Sequence, residues 1–268
     1  MKFITLTTDF GVQSQGVGIM EALILSIAPD VKVIHLMHGL PSYNIVAAAR
    51  TMETIKYIPI GIHVCVCDPG VGTQRKAIAI KISRGDFLIG PDNGVLLSAA
   101  QIMGGIISAH EILNEKYMNH PVSPIFHGRD IFAPAAAYLS IGENIENFGP
   151  ELQIKNLTKG PYDEAYFVKN EIIASVIQIN KFGSLHLNIL HETWDNSGIR
   201  VGDKIQFIDV KTDVSLELKV CNKFGDVEQG ANLILKDDYG RIEIAKNYSS
   251  FSEEYKINVG AIIKLIIH

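Results

Sequence analysis

Apolar runs and longer amphipathic stretches alternate along the first 160 residues of this chain. Short runs rich in β-branched residues predict strands, and longer stretches that end at proline or glycine predict helices. Strands that alternate with helices indicate right-handed crossovers, so we predict an α/β fold with a largely parallel central sheet. The predicted strands are Phe3–Thr7, Val31–Leu36, Ile62–Cys67, Ala77–Ile82 and Phe87–Ile89, and the predicted helices are Val17–Ile27, Tyr43–Ile55, one beginning at Val95 and an alanine-rich one opened by Phe126–Pro134.

The pattern changes near residue 160. Beyond it, strand-like runs separated by turns predominate, and only Thr193–Asn196 suggests a short helix. Short strands between turns predict a smaller all-β domain, either a barrel or a sandwich. We therefore expect an α/β domain at residues 1–160 and an all-β domain at 161–268. The runs are Glu171–Ile179, Leu185–Leu190, Lys204–Ile208, Leu216–Val220, Ile242–Ala245 and Ala261–Ile267.

Composition narrows the class of protein. The 268 residues are 47% hydrophobic and 20% charged, as in ordinary globular proteins, and the net charge of −5 with no basic run argues against nucleic acid as a partner. No apolar run approaches the ~18 residues of a membrane helix, and the start does not resemble a signal peptide, so we expect a cytoplasmic protein. Cys65, Cys67 and Cys221 are expected to be small buried hydrophobes, since Cys-x-Cys without a second pair is a weak zinc signal.

Acidic residues follow three of the predicted strands. Asp9, Asp68 and the pair Asp92–Asn93 each stand where a strand gives way to a turn, and the carboxyl ends of parallel strands share one edge of a sheet. We therefore expect all of them to line one crevice, although a lone Asp at position 92 is more typical of a helix N-cap. His127, which stands beside Gly128 and Arg129–Asp130, is by itself more typical of a structural residue.

The turn after Asp68 returns a cation toward that acid. Pro69–Gly70 and Gly72 force the chain to reverse, and Arg75 follows seven positions after Asp68. Such a turn is either a structural turn stabilised by a salt bridge or a reaction site. Taken alone, its residues slightly favour the structural role.

Five segments in order resemble the S-adenosylmethionine hydrolases, also called S-adenosylmethionine hydroxide adenosyltransferases, of the superfamily that includes the fluorinases and chlorinases. They are Thr8–Gly11, Asp68–Arg75, Pro91–Gly94, Phe126–Asp130 and Lys181–Gly183. The resemblance implies an N-terminal α/β domain, a C-terminal β-barrel and a homotrimer whose sites lie between one subunit's N-terminal domain and the next subunit's C-terminal domain. It also implies hydrolysis of S-adenosylmethionine to adenosine and methionine, with no metal or other cofactor.

Residue roles follow from the same resemblance. It implies that Asp68, Arg75 and His127 form a triad that handles the attacking water and that Asp9 holds both ribose hydroxyls. Val71 and Gly128 stand where halogenating relatives carry small hydroxyl residues, so halogenation is disfavoured. We expect Tyr43 to contact the sugar or the sulfonium through its ring, although a structural role at the edge of the core fits it equally well. The other substrate contacts that we expect are Asp92, Asn93, Asn180, Phe182, Ser184 and Asp238.

The C-terminal segments depart from the family pattern. Asn180–Ser184 replaces an Asp-x-Phe-Gly-Asn run that contacts the methionine amine and the base, and Asp237–Gly240 replaces Asn-Ser-x-Gly. The Tyr usual after the first acidic turn is also replaced, by Gln13–Gly16. The altered contacts suggest one alternative, a nucleoside-binding module without turnover.

A metallohydrolase is the other alternative, with ligands Asp9, Asp68, Asp92 and His127 at one crevice. Arg75 argues against it, because a cation beside a metal-binding carboxylate is costly. The two enzyme classes differ in whether a chelator abolishes activity.

Overall fold

The computed structural model describes residues 3–267 of the chain. They form two compact units, the first ending at Pro161 and the second beginning at Tyr162. None of the helices in this range has the length and apolar character needed to span a membrane.

A six-stranded sheet with helices on both faces forms the first unit. The strand order is β2-β1-β3-β5-β4-β6, in which the pairs β1–β2, β1–β3 and β3–β5 are parallel and β4 is antiparallel to both neighbours. This topology confirms the predicted α/β fold. The elements are β1 (Phe3–Thr8), α1 (Gln15–Ile27), β2 (Lys32–Met37), α2 (Ile45–Glu53), β3 (Ile62–Val66), β4 (Ala77–Ile82), β5 (Phe87–Pro91), α3 (Leu97–Ile102), β6 (Ile106–Glu111) and α4 (Ala133–Ser140).

Strand β3 lies at the centre of this sheet and is buried along its whole length. Val64 packs with α1 and α4 on one face, and Cys65 packs with α2 and α3 on the other. Two covered faces explain why the strand is continuously apolar. Strand β6 is absent from the sequence prediction because it is a half-exposed edge strand whose alternation is weak.

The second unit is a closed barrel. Its order is β14-β10-β11-β12-β13-β9-β8, and β8 pairs again with β14, so seven strands close on themselves while β7 adds to β8. Because the seven strands form a closed ring, the second unit is a barrel and not a sandwich. The elements are β7 (Tyr166–Val168), β8 (Glu171–Ile179), β9 (Leu185–Leu190), α5 (His191–Asn196), β10 (Lys204–Asp209), β11 (Ser215–Val220), β12 (Asn232–Lys236), β13 (Arg241–Lys246), α6 (Phe251–Tyr255) and β14 (Ile262–Ile267).

The predicted short helix is present as α5, whereas β7, β12 and α6 were not predicted. The expectation of almost no further helix is therefore wrong at α6. Its N-cap Ser250 accepts a hydrogen bond from the main-chain N–H of Glu253, and this Ser-x-x-Glu spacing is a helix-start signal that the sequence contained.

A buried polar network joins β3 to the start of β5. Asp86 accepts hydrogen bonds from His63 Nε2 and the Gly61 N–H, each 3.0 Å long, and the Arg84 guanidinium binds both of its oxygens. His63 Nδ1 lies 2.9 Å from the Thr5 hydroxyl. Burial raises the pKa of the Asp86 carboxyl, but the hydrogen bonds from His63 and Arg84 outweigh it and hold that pKa well below its ordinary value.

Replacing Asp86 by Asn should lower the free energy of unfolding by about 3 kcal/mol at neutral pH, because a buried ion pair loses one partner. The folded-state pKa is depressed, so the carboxylate's contribution is present above its unfolded value near 3.8 and is lost as the pH falls toward the folded value. Urea unfolding at a series of pH values should show the difference between wild type and variant shrinking below that point. Asp30→Asn, at an exposed carboxylate, is the control. A difference that stays constant with pH would contradict this account.

Candidate active site

A cavity of about 240 Å³ lies at the carboxyl edge of the parallel strands in the first unit. Asp9, Ser42, Asp68 and His127 are among its polar lining residues. Its apolar lining includes Phe10, Val66, Val71, Ile125 and Phe126. Apolar walls around a few convergent polar groups are typical of small-molecule sites.

Asp68 and Arg75 form a nearly buried ion pair beside this cavity. The Arg75 Nε lies 2.9 Å from each carboxylate oxygen, and Nη2 also donates to Oδ2. The side chains of Asp68 and Arg75 are only 5% and 9% exposed, respectively. Gly72 adopts a φ of +74°, and a Cβ there would collide with the Pro124 carbonyl, so the turn requires glycine at this point.

His127 completes a connected triad. It precedes a π-helical turn, Gly128–Phe132, that leads into α4, and its Nδ1 lies 2.8 Å from Nη2 of Arg75. Arginine has donors only, so Nδ1 must accept, and the ring proton is therefore on Nε2. Burial, and next the positive charge of Arg75, lowers the pKa of His127 below 6.5. The imidazole is thus neutral at physiological pH.

Asp130 braces the turn that carries His127 and is not part of the cavity lining. It accepts hydrogen bonds from Arg129 through Nε and Nη2, each 2.7 Å long. It also accepts from Asn119 Nδ2 at 2.7 Å and from the Ser123 N–H at 2.9 Å. Arg129 and Asp130 therefore pair with each other, and the acid ties the preceding loop to the turn.

Asp9 lies at the end of β1 with one oxygen engaged. Its Oδ2 accepts from the Tyr43 N–H at 2.8 Å and from the Cys67 thiol at 3.7 Å, whereas Oδ1 accepts no hydrogen bond from residues 3–267. Burial and the charge of Asp9 raise the pKa of Cys67 to about 12, so the thiol keeps its proton and remains a donor. Tyr43 lines the cavity, has a φ of 63° and is 73% exposed. A positive φ in a bulky residue is strained.

Asp92 and Asn93 do not line this cavity. The Asp92 carboxylate accepts from the Thr158 N–H at 2.9 Å, and Asn93 Nδ2 donates to the Cys67 carbonyl at 2.9 Å. Asp92 is not a helix N-cap either, because α3 begins after Leu96 without a side-chain cap. Both residues hold loops together, and Asn93 fixes the main chain directly before Asp68.

The second unit has its own cavity of about 570 Å³. Asn180, Phe182 and Ser184 line it, whereas Asp238 is exposed and is not among its lining residues. Asn180 Oδ1 accepts from the N–H groups of Phe182 and Ser184 at 2.9 and 3.1 Å, so its carbonyl closes the turn.

Sequence reasoning missed several lining residues of both cavities. In the first cavity they are Phe10, Ser42, Ile125 and Phe126, whose only signal is their position beside Asp9, Tyr43 and His127. In the second they include Phe224, Glu243 and Tyr248, which no motif marks. Cys65, Cys67 and Cys221 are free and buried, as predicted.

Two family models match the chain and cover most of both units. Residues 4–149 match the SAM hydroxide adenosyltransferase N-terminal domain, and residues 174–264 match the C-terminal domain of the same family. The chain belongs to the SAM hydroxide adenosyltransferase family. This membership confirms the resemblance that the five sequence segments indicate.

Two curated relatives align with this chain along nearly its whole length. A protein named (R)-S-adenosyl-L-methionine hydrolase from Salinispora tropica is 32% identical over 91% of this chain and 90% of its own. One of the same name from Thermus thermophilus is 30% identical over 99% of this chain and 100% of its own. The crystal structure of an uncharacterised conserved protein from Thermotoga maritima superposes with a TM-score of 0.91 at 29% identity, covering 99% of this chain and all of that one.

The four ligands that a metal-dependent hydrolase would need, Asp9, Asp68, Asp92 and His127, do not form a metal site among residues 3–267. No three His, Cys, Asp or Glu side chains in that range form a group that could hold a metal ion. Asp92 is engaged with Thr158 outside the cavity, and Asp68 is already bound by Arg75.

Replacing Arg75 by Gln should raise the pKa of His127 toward 6.5, because the nearby positive charge is lost while the larger effect of burial remains. The titration of the His127 ring by NMR measures this change. The matched control is Lys76→Gln, which removes the neighbouring cation that pairs with Glu111 instead. Equal titration of His127 in wild type and Arg75→Gln would contradict the assigned contact.

Proposed function

We propose that this protein hydrolyses S-adenosyl-L-methionine to adenosine and L-methionine by attack of water at the ribose C5′, without a metal ion. The observation that carries the proposal is the connected Asp68–Arg75–His127 triad, of which Asp68 and His127 line one cavity with Asp9. The names of the relatives from Salinispora tropica and Thermus thermophilus support it.

The reaction is a displacement at carbon. The water oxygen forms a bond to C5′ as the C5′–S bond breaks, the bonding electrons go to sulfur, and one proton is released. A sulfonium leaves as a neutral thioether, so the leaving group needs no acid. The site must supply an oriented water and exclude other solvent, which apolar walls such as Val66 and Phe126 favour.

The hydrogen bonds within the triad assign a different role to each of its three side chains. Because His127 Nδ1 accepts from Arg75, Nε2–H is the donor available to a lone pair of the water, which leaves the other lone pair for C5′. Asp68 is then the group that accepts a hydrogen bond from the water and takes its proton. Arg75 holds the carboxylate through a paired fork that prevents its rotation.

Asp9 is suited to the ribose because a carboxylate accepts from two adjacent hydroxyls and cannot donate. Its Oδ1 is available, and Tyr43 presents an exposed ring beside it. We propose Asp9 and Tyr43 as ribose contacts. We assign Asp92 and Asn93 to loop support on the strength of their bonds to Thr158 and Cys67.

The first cavity is too small for the whole substrate. Pockets that enclose a drug-sized ligand measure about 300–1,000 Å³, and this one is about 240 Å³. We propose that a homotrimer completes the site, with Asn180, Phe182 and Ser184 of a neighbouring copy around the rest of the ligand. Because Asp238 is outside the cavity that these residues line, we leave it out of this set. The free cysteines support the cytoplasmic location that we also propose.

Halogenation is a weaker candidate. Val71 and Gly128 both line the cavity, and neither offers a hydroxyl to a halide. A Cβ at Gly128 would meet Met20 Sδ at 3.2 Å, so even a serine there would require its neighbours to move.

Incubating the protein with S-adenosylmethionine should yield equal amounts of adenosine and methionine, detected by chromatography, with or without a chelator. Asp68→Asn and His127→Ala should each reduce kcat by about 10²–10⁴-fold, because each removes a group that orients or deprotonates the water. Asp30→Asn should retain wild-type activity. Variants at 68 and 127 that turn over as fast as the parent would refute the mechanism, and loss of activity with chelator would favour a metal-dependent enzyme.

Two impaired variants should regain activity when their chains share a trimer. Asp68→Asn disables the first unit and Phe182→Ala weakens the second. If each site is completed by a neighbouring subunit, about a quarter of the sites in a randomly mixed trimer combine an intact first unit with an intact second unit. Co-expression followed by light scattering and the adenosine assay measures both mass and activity. Activity no greater than the mean of the two variants, or a monomeric mass, would overturn the shared site.

A further inference from the structure

A chain of hydrogen bonds runs from the surface of the first unit to the turn that carries Asp9. The Thr8 hydroxyl lies 2.9 Å from His38 Nδ1, and His38 Nε2 lies 2.9 Å from His35 Nδ1. His35 Nε2 lies 3.2 Å from the Glu21 carboxylate on α1. These four residues connect α1, β2 and the end of β1.

When His35 is neutral, the chain has one self-consistent direction. Ionised Glu21 can only accept, so His35 carries its proton on Nε2 and accepts at Nδ1. His38 must then donate from Nε2 and accept at Nδ1 from the Thr8 hydroxyl. Burial, and next the neighbouring His35, lowers the pKa of His38, which agrees with the neutral ring that this arrangement needs.

His38 also binds the Asp9 turn through its main chain. Its carbonyl accepts from the Gly11 N–H at 2.8 Å, and Gly11 has a φ of +90°. The Thr8 hydroxyl that His38 orients accepts in turn from the Phe10 N–H at 3.3 Å. Asp9 is therefore flanked on both sides by residues whose positions depend on His38.

Asp9 itself is held from the same connecting segment. Five residues after His38, the Tyr43 N–H donates to Asp9 Oδ2 at 2.8 Å. The segment from residue 38 to 43 thus contacts the turn from residue 8 to 11 through one main-chain carbonyl, one main-chain N–H and one side chain. Together these contacts leave Oδ1 as the carboxylate oxygen without a protein donor among residues 3–267.

We propose that His38 is a positioning residue that fixes the Asp9 carboxylate for the ribose hydroxyls through Thr8. The proposal rests on the proposed function, in which Asp9 binds the ribose. Main-chain pairing of β1 with β2 does not need the imidazole, so its loss should redirect Asp9 without unfolding the sheet.

The test is the binding preference for adenosine over 2′-deoxyadenosine, measured by calorimetry. Wild type should prefer adenosine, because both hydroxyls share one carboxylate. His38→Leu fills a similar volume without an acceptor and should reduce that preference by about threefold to tenfold, the effect of one hydrogen bond. Affinity for 2′-deoxyadenosine should change little, whereas a general loss of structure would weaken both ligands.

Two further variants separate positioning from packing. His38→Asn keeps an acceptor at the place of Nδ1, so it should retain most of the preference. Thr8→Val removes the hydroxyl and should resemble His38→Leu, and the double variant should lose no more than either single one. In turnover, His38→Leu should raise KM for S-adenosylmethionine and leave kcat within about twofold, because the triad is untouched.

The outcomes distinguish this proposal from the proposed function. Undiminished preference in His38→Leu, or equal loss in His38→Asn, overturns the role of His38 even if the enzyme is fully active. A wild type that binds adenosine with the expected preference but releases none from S-adenosylmethionine overturns the hydrolase function and leaves His38 supported by its own variants. A wild type without preference for adenosine overturns the ribose role of Asp9 and the positioning role of His38 together.

Discussion

The guanidinium of Arg75 is the interaction on which the rest of the site depends. It donates to both oxygens of Asp68 and to Nδ1 of His127, and it carries a permanent charge while being nearly buried. Since arginine cannot accept a proton or a hydrogen bond, one group sets both the orientation of the carboxylate and the tautomer of the imidazole. The turn after β3, the approach of Pro124 to Gly72 and the π-helical turn after His127 all serve to bring these three side chains together.

The sheet topology explains why Arg75 is within reach of Asp68. Asp68 follows the carboxyl end of β3, and Arg75 stands two residues before β4 begins. Strand β4 runs antiparallel to β5, which is itself parallel to β3, so β4 starts at the edge where β3 ends. The one reversed strand therefore keeps the cation and the acid at the same edge, and a parallel β4 would have begun at the opposite edge.

The sequence allowed prediction of features that short segments encode. The central strands, the Asp68–Arg75 turn and the all-β class of the second unit follow from local apolar patterns and from glycine and proline positions. Asp92 follows the same local pattern as Asp9 and Asp68, yet its carboxylate binds Thr158, 66 positions later, and no local signal marks that contact. The contacts of His38 escaped prediction for the same reason, because they join β1, β2 and α1 and exist only after these elements pack.

Two different kinds of support act on the two carboxylates of the cavity. Asp68 is held by a charged fork, which fixes the orientation of both of its oxygens. Asp9 is held by neutral donors, the Tyr43 N–H and the Cys67 thiol, and the hydrogen bonds of the Thr8 hydroxyl with His38 and the Phe10 N–H stabilise the turn around it. A charged fork fixes the orientation of a carboxylate, because the paired donors permit no rotation of it. Neutral donors hold a carboxylate without placing an opposite charge beside it. The two carboxylates of the cavity are therefore held by separate sets of contacts.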